Sequence, residues 1–359
     1  MSAYADRQST FYIRWGMGIS DSIVNYCGWN IDDVSLSGSE EPFITISGNG
    51  NAIPDGDGTP SASDLTAFGT VITGEGPVPH TFQISNSGIA NLLLTGSPIV
   101  SLSGSSAFSV TDMPTNTITG SSNDTFTIAF DPSTAGSHTA TVTITNNDSP
   151  RSPYTFSVSG TGEAPALTLG VSPTSFSEAA GSAAATGTVT RNSSTASALV
   201  VNLASDDIGE ATVSSSVTIL AGQASATFAI NAVDDAIVDG SQSVAILVTA
   251  SGHAGDAESV TVTDNDTPTL AVSITPGSIA ESVGASAATG TVVRNTDTSS
   301  SLSVTLHSDD PSEATVPESV TIEAGQSQVS FSIATVDDAI VDGTQTATIS
   351  VSASGFTGD

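Results

Sequence analysis

Short runs of alternating apolar and polar residues, broken by clusters of Gly, Asn, Asp, Ser and Pro, recur along this 359-residue chain. Alternation with a period of two is the mark of a strand with one buried face. In the C-terminal half, Ala184–Asn192 reads as a strand through Thr188, Val189 and Thr190, and Asn192–Ser197 as a turn. Leu199–Ala204 runs back, Val217–Leu220 returns, Ala221-Gly222-Gln223 turns, and Ala226–Val233 runs out again. Val244–Ala250 and Ser259–Thr263 complete the set. Upstream, strands are predicted at His80–Ser85, Asn91–Thr95, Phe126–Phe130, Thr139–Thr145 and Tyr154–Ser159, with turns at Ser85–Gly88, Asp131–Gly136 and Asn146–Pro150. Phe11–Gly18 and Gly28–Leu36 read as two further strands. The predicted fold is all-β with almost no helix: a string of β-sandwiches arranged end to end.

The pattern then repeats. A segment beginning at Leu167 aligns without a gap with one beginning at Leu270, at a constant offset of 103 residues (167 to 270). Asp234-Asp235-Ala236-Ile237-Val238-Asp239-Gly240 matches Asp337-Asp338-Ala339-Ile340-Val341-Asp342-Gly343, Glu178 matches Glu281, and Asp206–Asp207 match Asp309–Asp310. About half of the overlapping positions are identical, as in a tandem array of one domain type.

The repeated carboxylates follow the strand ends. In an antiparallel up-and-down order every second strand ends at the same pole. Asp206–Asp207, Asp234–Asp235 and Asp264-Asn265-Asp266 therefore arrive together, with Asp239 opening a returning strand and Glu178 preceding the first one. So many like charges at one pole repel unless a cation neutralises them. Calcium takes 6–8 oxygen ligands in irregular geometry and suits Asp-rich loops better than octahedral magnesium. With no His or Cys among these acids, zinc and copper are disfavoured. A solvated acidic rim is the competing explanation.

These residues resemble the Calx-beta domain, a seven-stranded immunoglobulin-like sandwich common in adhesive surface proteins. The resemblance spans Leu167–Asp359 and rests on Val233–Gly240, the Ala221-Gly222-Gln223 turn and Asp264-Asn265-Asp266. It implies Ca2+ held by Glu178, a mid-domain acid (Asp206 or Asp207), Asp234, Asp235, Asp239, Asp264 and Asp266. In the second unit it implies Glu281, Asp309, Asp310, Asp337, Asp338 and Asp342. The family's usual Asp-Gly-Thr-Ala segment is replaced here by Asp207-Ile208-Gly209-Glu210. The second unit reaches Asp359 before any match to Asp264–Asp266, so it is expected to lack its final strand and third acidic cluster.

Phe43–Gly162 has the strand spacing of an immunoglobulin-like sandwich. It resembles the hydin-type, or choice-of-anchor D, domain through Ile53–Asp57, Phe68-Gly69, Ile84–Gly88, Phe130-Asp131-Pro132 and Phe156–Gly162. That family implies a spacer or interaction module without a catalytic set. Asp55-Gly56-Asp57-Gly58 begins like an EF-hand loop, but Thr66 stands where the closing glutamate would be, and a turn is the preferred reading. The N-terminal strands, with Ile31-Asp32-Asp33-Val34, resemble the end of a MAM- or laminin-G-like jelly roll. Two strands bury no core alone. The expected organisation is thus 1–38, the closing strands of a jelly roll; 43–162, a hydin-like domain; 167–266, a first Calx-beta domain; and 270–359, a second.

Charge narrows the function. The formal net charge is −32, and the five basic residues are all arginine. Nucleic acid and anionic membrane both need a cationic surface and are excluded as partners. One cysteine, Cys27, forms no internal disulfide, which fits a bacterial surface protein. His80, His138, His253 and His307 are scattered, and no nucleophile elbow or phosphate-binding loop occurs. No run approaches the ~18 apolar residues of a membrane span, and Met1–Arg7 lacks a signal-peptide core. The expectation is a non-catalytic, calcium-binding fragment of a large secreted or cell-surface protein. It would act as a stalk or adhesion module, with cell-surface proteins or glycans as candidate partners. The alternative is an accessory region of a secreted protease or glycan hydrolase whose catalytic domain lies elsewhere.

Overall fold

The computed structural model describes residues 41–341 and 343–359. The jelly-roll expectation for 1–38, with Asp32–Asp33, lies outside the described residues, as does Asp342. The described chain is all-β apart from three single-turn 3-10 segments, and three separate hydrophobic cores follow one another along it.

The first core is enclosed by β1 (Ile44–Gly48), β2 (Asn51–Ile53), β3 (Ala67–Ile72), β4 (Val78–Asn86), β5 (Leu92–Leu93), β6 (Ser101–Gly104), β7 (Phe108–Asp112), β8 (Thr117–Ile118), β9 (Ser122–Phe130), β10 (Gly136–Ile144) and β11 (Tyr154–Glu163). One sheet runs β2-β1-β4-β9-β7 and the facing one β3-β11-β10-β6. Phe82, Phe126, Phe130 and Phe156 are fully buried between them. Alternation found the long central strands β4, β9, β10 and β11. Short edge strands such as β2, β6 and β8 carry too few buried positions to show it. Asn91–Thr95, expected as a strand, keeps only two strand residues.

The second core is enclosed by β12 (Leu167–Ser172), β13 (Ser175–Ser177), β14 (Ala185–Arg191), β15 (Leu199–Ser205), β16 (Ala211–Val213), β17 (Ser216–Ile219), β18 (Ser225–Ala232), β19 (Gln242–Thr249) and β20 (Asp256–Thr263). The sheets are β12-β14-β18-β16 and β13-β20-β19-β15-β17. This order corrects the simple up-and-down expectation. Successive strands such as β14, β15 and β16 change sheets, and β13 pairs with β20 in parallel. Direction does not alternate through the full set, since β16 is parallel to β14 while β17 is antiparallel to β15, but β13, β15 and β20 all run opposite to β19 and so end at the same pole. Every second residue points inward: Val189, Val201, Ile219, Ile230, Val244, Ile246 and Val248 are fully buried, each worth about 1.5–3 kcal/mol. Gly187 lies where β14 crosses the ring of Phe228, and a Cβ there would sit 2.3 Å from that ring.

The third core repeats this plan with β21 (Leu270–Thr275), β22 (Ala288–Arg294), β23 (Leu302–Ser308), β24 (Ala314–Thr315), β25 (Ser319–Ile322), β26 (Gln328–Thr335) and β27 (Ile349–Ser352). Its first sheet, β21-β22-β26-β24, reproduces β12-β14-β18-β16. Its second, β25-β23-β27, has three strands against five in the middle sandwich. Among the described residues nothing takes the places of β13 and β20.

Consecutive sandwiches are tied by backbone and Asn contacts. Asn192 Oδ1 accepts the Ala166 N–H and its amide donates to the Ala164 carbonyl. Asn295 does the same to Thr269 and Thr267, and also donates to the Ala236 carbonyl at 2.9 Å. Val238 N–H donates to the Asn295 carbonyl at 2.7 Å. The acid-rich loop of the middle sandwich therefore rests on the third. No helix among the described residues is long and apolar enough to cross a membrane.

Candidate metal centre

Four chain segments deliver carboxylates to one end of the middle sandwich. Glu178 opens the 3-10 turn after β13, Asp206 and Asp207 follow β15, Asp234, Asp235 and Asp239 lie between β18 and β19, and Asp264 and Asp266 follow β20. Register fixes the convergence: Ser177 pairs with Thr263, Gln242 with Val262, and Ala211 with Ala232.

The centre is Glu178, Asp264 and Asp266, whose ligand oxygens lie within 4.8 Å of one another. Two oxygens each about 2.4 Å from one calcium ion can be at most about 4.8 Å apart. Glu178 is 2 % exposed. It is locked there by its neighbours: Asn265 N–H donates to Glu178 Oε1 at 3.0 Å, while Asn265 Oδ1 accepts from Ala179 N–H and Ser177 Oγ, both at 3.1 Å. Asp264 ties two loops together, accepting the Gly240 N–H at 2.8 Å on Oδ2 and the Asp266 N–H at 2.7 Å on Oδ1. Gly240, at φ +83°, makes that approach possible without strain. Asp266 Oδ2 is buried and has no hydrogen-bond partner.

Electrostatics match this crowding. The Asn265 N–H favours the charged form of Glu178, but burial and repulsion from Asp264, Asp266 and Asp235 outweigh it and push its carboxyl above the ordinary range. Burial, then repulsion from Asp264, Asp234, Asp235 and Asp239, raises Asp266. Asp264 is lowered by the Gly240 and Asp266 N–H donors. Two carboxyls are thus unfavourably charged at neutral pH in the protein alone.

Sequence reasoning left Glu210 out of the ligand set. It is 9 % exposed, and its carboxyl is raised by burial and by the charges of Asp239, Asp207, Glu178 and Asp235. Its signal was present: Glu313 stands at the same offset of 103 residues (210 to 313). Asp206, by contrast, is engaged in the fold, where its Oδ1 accepts the Ala245 N–H of β19 at 2.7 Å. Asp309 does the same to Thr348 at 2.6 Å. Asp207 closes a local turn onto Gly209 N–H and bears on Glu210. Asp235 caps Ile237 N–H at 2.6 Å, as Asp338 caps Ile340 N–H at 2.7 Å.

In the third sandwich Glu281 again opens a 3-10 turn, and Asp310 turns onto Ser312. Among the described residues no three acids there converge as Glu178, Asp264 and Asp266 do. Asp337 and Asp338 stand in the loop after β26 without such a partner set.

The remaining motifs are structural. Asp55 Oδ1 accepts the Thr155 N–H at 2.9 Å, and Asp57 Oδ1 accepts Thr59 N–H and Oγ1, so the EF-like stretch is a turn latched to β11. His80 stacks on Phe68 at 4.0 Å and contacts the Leu65 carbonyl, and His138 bridges Ser105 and the Thr134 carbonyl.

No protein-family model matches the chain, and no curated protein is significantly similar to it. Among solved structures, the chain is similar to a Porphyromonas gingivalis W83 protein of unknown function (16 % identity, TM-score 0.25, covering 35 % of this chain and 50 % of that one). It is also similar to CBD12 from CALX1.2 (15 % identity, TM-score 0.23, covering 47 % and 74 %). A third is protocadherin gamma B7 extracellular cadherin domains 1–4 (13 % identity, TM-score 0.35, covering 81 % and 71 %). The chain thus spans half the length of the first of these. Likenesses at such scores carry no argument, and only the carboxylates themselves speak to function.

Proposed function

We propose that the middle sandwich binds calcium at Glu178, Asp264 and Asp266, completed by Asp234, Asp235, Asp239, Asp207 and Glu210. The observation that carries the reading is the buried, unpartnered Asp266 Oδ2 beside the buried Glu178. A carboxylate oxygen without a donor is costly unless a cation meets it. The donor set is oxygen alone, the class that calcium accepts in irregular numbers. Calcium would neutralise the pole and lock the loop that rests on the third sandwich. Glu281, Asp310, Asp337 and Asp338 are the counterpart acids of the third sandwich and would hold a cation more weakly. We assign 167–266 and 270–359 to the Calx-beta type and 43–162 to the hydin type. The whole serves as a calcium-stiffened adhesion or interaction segment of an extracellular protein.

A ligand that binds the folded state alone stabilises it by RT ln(1 + [L]/Kd), so millimolar calcium should raise the melting temperature. Asp234→Ala combined with Asp235→Ala should remove most of the gain. Equal stabilisation by sodium at matched ionic strength would mean plain screening and refute the site.

A further inference from the structure

A cavity of about 330 Å³, within the size range of small-ligand sites, lies at the junction of the middle and third sandwiches. It is lined by Ile237 and Asp239 of the middle sandwich and by Arg294, Asp297, Thr298 and Ser327 of the third. Backbone contacts hold the two sides together. Val238 N–H donates to the Asn295 carbonyl, Asp297 N–H donates to the Val238 carbonyl at 3.3 Å, and Val238 bridges Thr296 in parallel.

Arg294 is held differently from its repeat counterpart, Arg191. Arg191 closes the turn after β14, donating from Nη1 to the Ser197 carbonyl at 2.8 Å and from Nη2 to the Gln223 carbonyl at 3.0 Å. Arg294 makes neither contact. It is 6 % exposed. Nε is buried without a partner in both arginines, but in Arg294 Nη2 is as well. Among the described residues the one ion pair is Arg151 with Asp148. Asp297 grips its own turn instead, accepting Ser299 N–H at 2.7 Å on Oδ1 and Ser299 Oγ at 2.9 Å on Oδ2. A buried guanidinium short of acceptors is costly, and the cavity beside it can admit one from outside the chain.

We propose that this cavity binds a uronic acid unit, a sugar bearing one carboxylate, with that carboxylate on Arg294 and the ring hydroxyls on Asp239 and Asp297. The lining selects that class. A guanidinium pairs with a planar carboxylate through two parallel hydrogen bonds. Ionised Asp side chains only accept, so the rest of the ligand must offer O–H donors, while the Thr298 and Ser327 hydroxyls can donate or accept. A doubly charged phosphate would be repelled by the two carboxylates more strongly than a single charge. A neutral sugar would leave the guanidinium without its counter-charge. Asp239 also belongs to the proposed calcium set, so divalent cations are left out of the test.

The full chain, isotope-labelled at the arginine nitrogens, is titrated with sodium glucuronate at ~0.15 M salt, where charges are screened beyond about 8 Å. Its five arginines give five Nε–H resonances to follow. The expected result is a saturable shift of one of them, absent from the Arg294→Gln variant, while the Arg191 resonance stays in place. Glucose, which lacks the carboxylate, and acetate, which lacks the hydroxyls, should each bind at least about tenfold more weakly. Those comparisons use the native chain and hold even if the variant fails to fold. A short galacturonate oligomer separates two sources of the unit. Tighter binding than the monomer assigns it to a polysaccharide chain and equal binding to a free sugar acid, and either supports the site. No saturable shift, a shift shared by all the arginines, or acetate bound as tightly as glucuronate would overturn the proposal.

Discussion

At the scale of residues, the acids of the two repeats differ in whether the fold favours or disfavours their charge. Asp206 accepts the Ala245 N–H of β19, and Asp309 accepts the Thr348 N–H just ahead of β27. Asp206→Ala and Asp309→Ala should therefore each cost about 1 kcal/mol in denaturant unfolding, and Asp206→Asn should leave calcium affinity unchanged while Asp207→Asn weakens it. Glu178 behaves in the opposite way. Its carboxyl is held above the ordinary range, so the folded state takes up that proton at a higher pH than the unfolded chain. The stability tied to it is full below the usual carboxylate value of about 4.3 and is lost as pH rises through the folded value. Glu178→Gln, neutral throughout, should melt above the native chain at pH 7 without calcium, with the gap closing on acidification. In millimolar calcium the order should reverse, and a variant that melts lower in both conditions would contradict this account. Strand direction brought Glu178, ahead of the first predicted strand, and Asp264 and Asp266, after the last, to one pole, where their oxygens lie within 4.8 Å of one another. It could not separate Asp206 from Asp207, since the Asp206 contact is made 39 residues away, on β19. Glu210 escaped notice although its repeat partner was visible.

At the scale of elements, the repeat duplicates packing as well as charge. Gly187 faces Phe228 and Gly290 faces Phe331, and a Cβ at either would lie 2.2–2.3 Å from the ring. Gly187→Ala and Gly290→Ala should each cost about 1–3 kcal/mol by overpacking, with each loss confined to its own sandwich in hydrogen exchange. Equal tolerance of alanine would mean that the rings can move aside. The long strands were legible in the sequence as runs rich in strand-forming residues between turns, as in Ser225–Ala232 and Gln242–Thr249, whose burial alternates. β13 and β16, with three residues each, offer too short a pattern, yet they decide the topology. Their placement depends on pairing with β20 and β18, a long-range event that no local period encodes. That is why the acidic pole was predictable while strand order was not.

At the scale of the molecule, a charge of −32 borne almost without compensating cations makes self-repulsion a global term. In the absence of divalent ions, stability should rise with sodium chloride as screening shortens the reach of those charges. Calcium should add a second, saturable gain concentrated in the middle sandwich and in Ala236–Val238, which contacts the third. The measurement that tests this most directly is calcium titration calorimetry of the full chain at fixed ionic strength, beside Asp266→Asn. The account predicts saturable binding with Kd at or below about 10⁻⁴–10⁻³ M, and loss of the tightest site in the variant. Heats that rise linearly without saturation, or a variant that binds as tightly as the native chain, would contradict it.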